Sequence, residues 1–205
     1  LNNQYNVGVG GFAGSTAGTS SGVKQAATAN IRFEDVSLDN VTIIGPAMAG
    51  GLFGNVGRGA ATNTDIGYLI GQSTTTYNNY YGLNLINCKY ANLNVTSKYA
   101  SGGFAGYVDS GSNALVSSVK NTKDQELVIG DNSTITANTN TSYAGGVFGY
   151  VKTNVRINDP EDATSYKKVI INNVSVKATN QAGGYIGQIA DFNNNGFKIY
   201  NAVYQ

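Results

Sequence analysis

The sequence contains no histidine, the commonest general base and the commonest neutral metal ligand of proteins. Its absence excludes Ser-His-Asp and Cys-His catalysis within the chain. The one cysteine, Cys88, cannot form an internal disulfide, and its place in a strand-like run predicts a buried structural thiol. We therefore expect neither histidine-dependent chemistry nor a disulfide framework.

Charge is also scarce, because charged residues make up 12% of the 205 residues and the formal net charge is +1. A nucleic-acid-binding chain shows a clustered basic excess, and a chain that binds anionic lipid shows a polybasic segment. No run approaches the roughly 18 consecutive apolar residues of a membrane-spanning helix. We expect no nucleic-acid partner and no membrane insertion within this segment.

What the sequence does contain is typical of strands and turns. There are 27 glycines but only 2 prolines, set among many asparagine, threonine, serine and tyrosine residues. Apolar residues alternate along 31–44 and again along 83–95, so that side chains two apart share one face of a strand. Helical periodicity is absent, and an all-β fold is predicted.

A glycine cassette, Gly-Gly-apolar-apolar-Gly, recurs along the chain. Four copies have their glycines at Gly50, Gly51 and Gly54; Gly102, Gly103 and Gly106; Gly145, Gly146 and Gly149; and Gly183, Gly184 and Gly187. A fifth copy, Gly10 to Gly14, departs from the pattern after its third glycine. Paired glycines can take positive φ or let backbones approach closely. We expect the apolar pair, such as Leu52-Phe53, to place one side chain inward and one outward.

A second constant lies upstream of the glycines. Asn40, Asn92 and Asn173 each precede a cassette by ten residues, whereas Ile135 stands at that position before the fourth cassette. Asparagine tolerates a left-handed backbone, which predicts a corner whose amide hydrogen-bonds to the asparagine one rung away. Asn201 restarts the pattern 28 residues after Asn173. The minimal unit is then about 28 residues, with longer spacings as insertions in one variable loop.

Such units predict a parallel β-helix, or β-solenoid, of about five irregular coils with loop insertions, forming a single domain over residues 1–205. A β-sandwich or a β-propeller is the alternative, because a blade of about 40 to 50 residues matches the cassette spacings. The restart at Asn201 favours the solenoid. The chain lacks an initiator Met and its last strand, 198–205, ends in mid-pattern. We therefore expect a fragment of a larger surface protein.

The cassette, together with upstream strands such as Asn173-Val174-Ser175-Val176, resembles the GLUG repeat of large bacterial surface and secreted proteins. These include adhesin-like proteins of gut and oral bacteria and the non-catalytic parts of immunoglobulin-A-cleaving metallopeptidases. The resemblance implies an extracellular, cell-surface repeat stalk or adhesive module without a catalytic centre. Host proteins or glycans are the implied partners.

Three tyrosines form the predicted ligand-contact feature. Tyr77, Tyr80 and Tyr81 cluster with two asparagines in one insertion. Tyrosine rings pack on apolar patches while hydroxyl and amide groups supply hydrogen bonds, which suits glycan or protein contact. Packing of the insertion against the solenoid is the alternative interpretation.

A weak metal signal lies near the end of the chain. Asp191, Asn193 and Asn195, followed by Gly196, match the first half of a calcium loop. The bidentate glutamate expected at the twelfth position is Ala202, and the flanks read as strands. A polar turn is therefore the favoured interpretation, and we expect no cofactor, with calcium as the alternative.

The sequence favours a non-catalytic structural and adhesive module. The alternative is a polysaccharide-active β-helix enzyme, a lyase or hydrolase, which needs acids and a basic residue in one groove. The acids lie singly in different loops, as at Asp65, Asp109 and Asp131. Scattered acids predict that the chain is not an enzyme.

Overall fold

The computed structural model describes residues 8–16, 30–57, 82–109, 116–152, 154–158, 167–190 and 197–205. In these ranges every regular element is a β-strand, and successive coils pair in parallel. The chain winds through five coils, as the sequence predicted. This pairing confirms the predicted parallel β-helix. It does not fit the alternatives, a β-sandwich or a β-propeller.

Twenty-two strands follow one another through the coils of the described part. The first coil contains β1 (Gly8–Gly10), β2 (Ala13–Thr16), β3 (Asn30–Glu34), β4 (Ser37–Asp39) and β5 (Thr42–Ile44). The second contains β6 (Met48–Gly50), β7 (Phe53–Gly57), β8 (Gly82–Ile86), β9 (Lys89–Ala91) and β10 (Asn94–Ser97).

Later coils have four strands each, and the last strand of the third and of the fourth coil is long. The third coil contains β11 (Ala100–Gly102), β12 (Ala105–Asp109), β13 (Val116–Lys120) and β14 (Leu127–Ala137). The fourth contains β15 (Tyr143–Gly145), β16 (Phe148–Lys152), β17 (Asn154–Ile157) and β18 (Val169–Ala178). The fifth contains β19 (Gln181–Gly183), β20 (Ile186–Ile189), β21 (Phe197–Ile199) and β22 (Ala202–Tyr204).

Equivalent strands stack into four five-stranded sheets. The first sheet has the order β1-β6-β11-β15-β19, the second β2-β7-β12-β16-β20, the third β3-β8-β13-β17-β21 and the fourth β22-β18-β14-β10-β5. Strands β4 and β9 form a two-stranded sheet. In the third and fourth coils β14 and β18 run on through the corner that separates β4 from β5 and β9 from β10.

The sheets are in register, so chemically similar residues stack in columns. Each strand of the first sheet ends on the first glycine of its cassette, and these glycines stack in one column: Gly10, Gly50, Gly102, Gly145 and Gly183. One inward column of the second sheet alternates small and large through the first four coils, as Ala13, Phe53, Ala105 and Phe148, and ends with Ile186. A single apolar core runs through the stack and includes the buried side chains of this column.

The two apolar residues of a cassette were predicted to divide between core and surface. That prediction was wrong. Leu52, Phe53, Val147 and Phe148 are all buried in the main core. Leu52 and Val147 lie in the bends between the first and second sheets. Strand alternation does not apply in a bend, because there the chain turns around the core and both residues of the pair can face inward.

The 28-residue unit was also wrong. Asn201 directly precedes β22, and β22 pairs with the segment Val169 to Ile171 of β18. Asn173 lies beyond that segment, in the second half of β18. Asn201 therefore stands in the column of Lys168 and is not a second Asn173. The shortest register step between cassettes is 38 residues, from Gly145 to Gly183.

Insertions enter the coils at more than one place. In the first two coils the long connections, 17–29 and 58–81, separate the second sheet from the third. In the third and fourth coils, connections 121–126 and 158–168 lie instead between the third and fourth sheets. The expectation of one variable loop is corrected to several variable positions around the coil.

Candidate functional site

The predicted ligand and metal residues lie outside the part of the chain that the structure describes. These are Tyr77, Tyr80 and Tyr81 for ligand contact, and Asp191, Asn193 and Asn195 for calcium. Both remain predictions. Within the described ranges no group of three or more histidine, cysteine, aspartate or glutamate side chains is placed to hold a metal ion. No helix among those residues is long and apolar enough to cross a membrane.

The cassette glycines allow neighbouring backbones to approach closely. A Cβ added at Gly106 would lie 2.6 Å from the carbonyl oxygen of Ala100 and 2.7 Å from the backbone nitrogen of Ala49. A Cβ at Gly103 would meet the carbonyl oxygen of Gly146 and the ring of Tyr90. Among the described glycines only Gly130 has a positive φ. The repeated glycines therefore serve contact between chain segments, not a left-handed backbone.

The ring of Tyr90 occupies the space beside Gly103. Its ring is buried in the core and meets Phe104 edge to face at 5.2 Å. Its hydroxyl donates a hydrogen bond of 2.5 Å to the carbonyl oxygen of Gly146. Burial raises the pKa of Tyr90 far above its ordinary value, because no charge is solvated there. The hydroxyl is thus a neutral structural donor.

The predicted asparagine corner is present. Asn40, Asn92 and Asn173 have φ values of 55°, 49° and 51°, in the left-handed region that asparagine tolerates. Asn132, which the sequence analysis missed, has φ of 53° and fills the same corner in the third coil. Ile135, which stood at the expected sequence position, instead pairs with Val95 in the core.

Side-chain amides at this corner form a ladder between coils. Asn132 Nδ2 donates to Asn92 Oδ1 at 2.9 Å, and Asn92 Nδ2 donates to Asp39 Oδ1 at 2.8 Å. Asn173 Nδ2 lies 3.4 Å from Asp131 Oδ1. An asparagine-to-asparagine bond was expected at each step. In two of the steps the acceptor is instead the aspartate that directly precedes the corner asparagine. A carboxylate is a stronger hydrogen-bond acceptor than an amide oxygen.

A second corner, not predicted, lies between the third and fourth sheets. Asp35, Asn87 and Asn158 have φ values of 55°, 52° and 57°. In the third coil Asn121 is buried at this corner and its backbone N–H donates to Asn158 Oδ1 at 3.2 Å. The sequence indicates this second corner in the first two coils, where Asp35 and Asn87 each lie five residues before the asparagine of the first corner.

A groove of about 410 Å³ opens at this second corner. Its lining spans three coils and includes Asp35, Asn87, Lys89, Lys123, Glu126 and Val128. The segment between β13 and β14 forms one wall. There Thr122 binds Asn87 of the coil before, with Thr122 N to Asn87 Oδ1 at 2.8 Å and Asn87 Nδ2 to Thr122 Oγ1 at 2.9 Å. The groove is therefore made by an insertion.

Charges of both signs meet in the groove. Lys123 Nζ lies 3.1 Å from Asp35 Oδ1, so a side chain of the third coil reaches the first. The hydrogen bond from Lys123 lowers the pKa of Asp35, with a smaller contribution from Asn87. Lys168 Nζ lies 3.5 Å from Glu126 Oε1. Both exposed carboxylates are paired with lysines, and the lowered pKa of Asp35 suits polar contact more than proton donation.

Tyrosines form a second cluster on the outside of the first and second sheets, in which Tyr107 and Tyr150 are buried and Tyr99 and Tyr143 lie at the edge. Tyr107 and Tyr150 are in register and stack with ring centroids 5.1 Å apart and planes 4° apart. Half-buried Tyr143 lies 4.9 Å from Tyr150, and half-buried Tyr99 lies 5.4 Å from Tyr143. The sequence shows this cluster as a tyrosine four residues after the second glycine of two cassettes, a signal to which the sequence analysis assigned no role.

Cys88 behaves as the sequence predicted. It is buried, and its thiol lies 3.4 Å from the carbonyl oxygen of Ile86 and 3.5 Å from that of Phe33. Burial raises the pKa of the Cys88 thiol. A raised pKa disfavours the thiolate, the reactive form of cysteine.

Comparisons with family models, with curated proteins and with solved structures find no match to this chain.

Proposed function

We propose that the chain is a non-catalytic structural and adhesive repeat module of a bacterial surface or secreted protein. The resemblance to the GLUG repeat supports this proposal. Stacked coils supply a stiff rod, and insertions between the strands present contact surfaces for a host protein or a glycan. No cofactor is needed for such a mechanism, which is geometric.

One observation carries the proposal. The residues that recur are glycines in contact with backbone, in all five coils, and asparagines with positive φ at the first corner, in four coils. Both residue types set the path of the chain, and in the described ranges their recurrence gives columns of structural contact, not a set of reactive groups. Recurrence of this kind is typical of a scaffold whose variable loops carry recognition.

Two described surfaces suit contact with a partner. The groove offers charged and amide side chains of the second corner, and the tyrosine cluster offers amphipathic rings at Tyr99 and Tyr143. Neither surface recurs in all five coils. Recognition by this module is thus expected to belong to particular coils, together with the predicted contact residues Tyr77, Tyr80 and Tyr81.

A glycan and host-matrix array probed with the chain tests the proposal. We expect binding to at least one glycan or matrix protein, and loss of that binding when Tyr77, Tyr80 and Tyr81 are replaced together by alanine. Tyr200→Ala, which removes an exposed ring from the fifth coil, is the matched control. No binding to any glycan or matrix protein would contradict the adhesive part of the proposal.

The alternative is a polysaccharide-active β-helix enzyme, and one observation favours it. The groove brings the carboxylates of Asp35 and Glu126 together with Lys89 and Lys123, which is the arrangement that such an enzyme requires. Against it, the pKa of Asp35 is lowered, whereas a catalytic acid has a raised pKa.

Cleavage of a polysaccharide panel separates the two functions. Reducing ends report hydrolysis and ultraviolet absorbance of unsaturated products reports lyase activity. We expect no product with the native chain. Product formation that Asp35→Asn or Glu126→Gln abolishes, and that an exposed control such as Asp39→Asn retains, would establish the enzyme instead.

A further inference from the structure

The strand ladder between the second and third coils is interrupted beside the groove. Strand β9 pairs with β4 of the first coil, and the first half of β14 pairs with β18 of the fourth. Among the described residues no strand pair joins β9 to that half of β14. On either side the ladder is intact, because β8 pairs with β13 and β10 pairs with the second half of β14. The groove is therefore an opening within the stack and not an end of it.

One wall of this opening is aliphatic. Val128 lines the groove and is 43% exposed, whereas Ile170, its partner in the fourth coil, is buried. Val36 of the first coil also lines the groove, and none of the described lining residues is aromatic. Protein partners are typically anchored by large aromatic or arginine side chains in apolar pockets. A mostly polar lining with a small aliphatic wall suits a sugar ring better, since the ring has hydroxyls and a C–H face.

The charges of the groove do not cancel. Lys123 Nζ lies 3.1 Å from Asp35 Oδ1, and Lys168 Nζ lies 3.5 Å from Glu126 Oε1. Lys89 also lines the groove, and among the described residues it has no carboxylate partner. Because both carboxylates already have a cation, one positive charge remains for a ligand.

The backbone holds Lys89 at the groove. Its N–H donates to the carbonyl oxygen of Val36 at 2.9 Å, which fixes the start of β9 against the first coil. Lys89 is exposed and the next residue, Tyr90, is buried in the core, so the lysine side chain points outward. The unmatched cation is thus on the surface side of the opening, where a ligand can reach it.

We propose that the groove binds a glycan through an acidic sugar residue, whose carboxylate pairs with Lys89 and whose hydroxyls bind the Asp35–Lys123 pair. This inference rests on the proposed adhesive function, for which it names the kind of ligand. The aliphatic wall at Val128 receives the C–H face of the sugar ring. A volume of about 410 Å³ lies in the lower part of the range of small-ligand sites, which suits a chain end or a short branch of a glycan.

Isothermal titration calorimetry with defined sugars tests the proposal. The probes are trigalacturonate, its fully methyl-esterified form, sialyllactose and lactose. The ester and lactose supply sugar rings and hydroxyls without a carboxylate, and the two acidic probes distinguish a uronic acid from a sialic acid. We expect at least one acidic probe to bind, and its uncharged counterpart to bind about fivefold more weakly, the upper range for an exposed ion pair. Added salt should weaken the acidic probe alone.

Two variants should change this binding in opposite directions. Lys89→Met keeps most of the side-chain length without the charge and should weaken the acidic probe about fivefold. Lys98→Met, at an exposed lysine of the same coil outside the groove, is the matched control and should bind like the native chain. Asp35→Asn should strengthen binding, because it releases Lys123, and asparagine tolerates the φ of 55° at this corner. Circular dichroism confirms that each variant is folded.

The outcomes separate this inference from the adhesive function. The inference is overturned if acidic and uncharged probes bind equally, if Lys89→Met binds like Lys98→Met, or if Asp35→Asn weakens binding. If neither acidic probe binds while the glycan and matrix array yields another ligand, the inference fails and the adhesive function stands. A protein ligand whose binding depends on Lys89 would place a protein in the groove instead. An array without any ligand would contradict both.

Discussion

The hydroxyl of Tyr90 in the second coil donates its hydrogen bond to the carbonyl oxygen of Gly146 in the fourth coil. The ring passes Gly103 of the third coil, where a side chain would collide with it. Tyr90 therefore ties together three consecutive coils. This contact is possible only because the cassette leaves an empty place in the middle coil.

Replacing Gly103 with valine should destabilise the stack. The added side chain would meet both the Tyr90 ring and the Gly146 carbonyl, and backbone cannot move aside cheaply. Overpacking of a core costs about 1–3 kcal/mol, and we expect the free energy of unfolding to fall by at least that amount in urea titrations. Thr42→Val, at an exposed position of β5, is the control and should change it by less than about 0.5 kcal/mol. An unchanged melting temperature for Gly103→Val would contradict the close approach.

Tyr90→Phe isolates the hydrogen bond from the ring. The substitution keeps the contact with Phe104 and leaves the buried Gly146 carbonyl without this donor. An unpaired buried acceptor costs about 1–3 kcal/mol, so the free energy of unfolding should fall by that amount. Tyr200→Phe, at an exposed ring, should leave it unchanged. Equal stability of Tyr90→Phe and the native chain would show that the bond contributes nothing net.

Buried tyrosines make stability depend on alkaline pH. Burial raises the pKa of Tyr185 to about 12, and it raises the pKa of Tyr90 further. In the unfolded chain both hydroxyls ionise near pH 10, so above that pH the folded state holds more protons. Their contribution is complete below about pH 10 and is lost as the pH rises toward the folded values.

Urea titrations from about pH 8 to about pH 12 measure this loss. Tyr185→Phe should lie below the native chain in stability at pH 8 but decline less steeply above pH 10. Recovery after return to pH 8 is the control for irreversible damage. Identical slopes for Tyr185→Phe and the native chain would exclude Tyr185 as a source.

Two substitutions at Asn92 separate backbone conformation from the amide ladder. Alanine at φ of 49° carries a left-handed penalty of about 1–2 kcal/mol and also loses the bonds to Asp39 and Asn132. Glycine loses the same bonds without that penalty. We expect Asn92→Gly to be clearly more stable than Asn92→Ala in thermal and urea unfolding. If the two variants are equally unstable, the ladder and not the corner conformation explains this asparagine.

The sequence predicts the architecture because its strongest periodicities are backbone requirements. Paired glycines indicate close approach of two backbones, and asparagines indicate left-handed corners. Both can be recognised from the sequence without knowledge of side-chain contacts. The parallel stack follows from them. The reason first given for it was nevertheless wrong, since Asn201 belongs to another column than Asn173.

Insertions explain most of what the sequence could not show. Asn132 occupies the expected corner, but the connection between β14 and β15 is longer than that between β10 and β11. Counting ten residues back from the cassette therefore gives Ile135 instead of Asn132. The second corner is regular only in the first two coils, because later insertions separate it from the first. The groove could not be predicted, since it joins residues as distant in sequence as Asp35 and Lys123. Such proximity follows from the winding of the chain.

The alternation of Ala13, Phe53, Ala105 and Phe148 makes neighbouring coils unequal among the first four. Removing a single coil from the middle would place one phenylalanine directly on another, or leave two alanines facing a void. Removing or adding two coils preserves the order of small and large. The natural unit of duplication in this architecture is therefore a pair of coils, and a designed shortening or lengthening of the rod should proceed by twos.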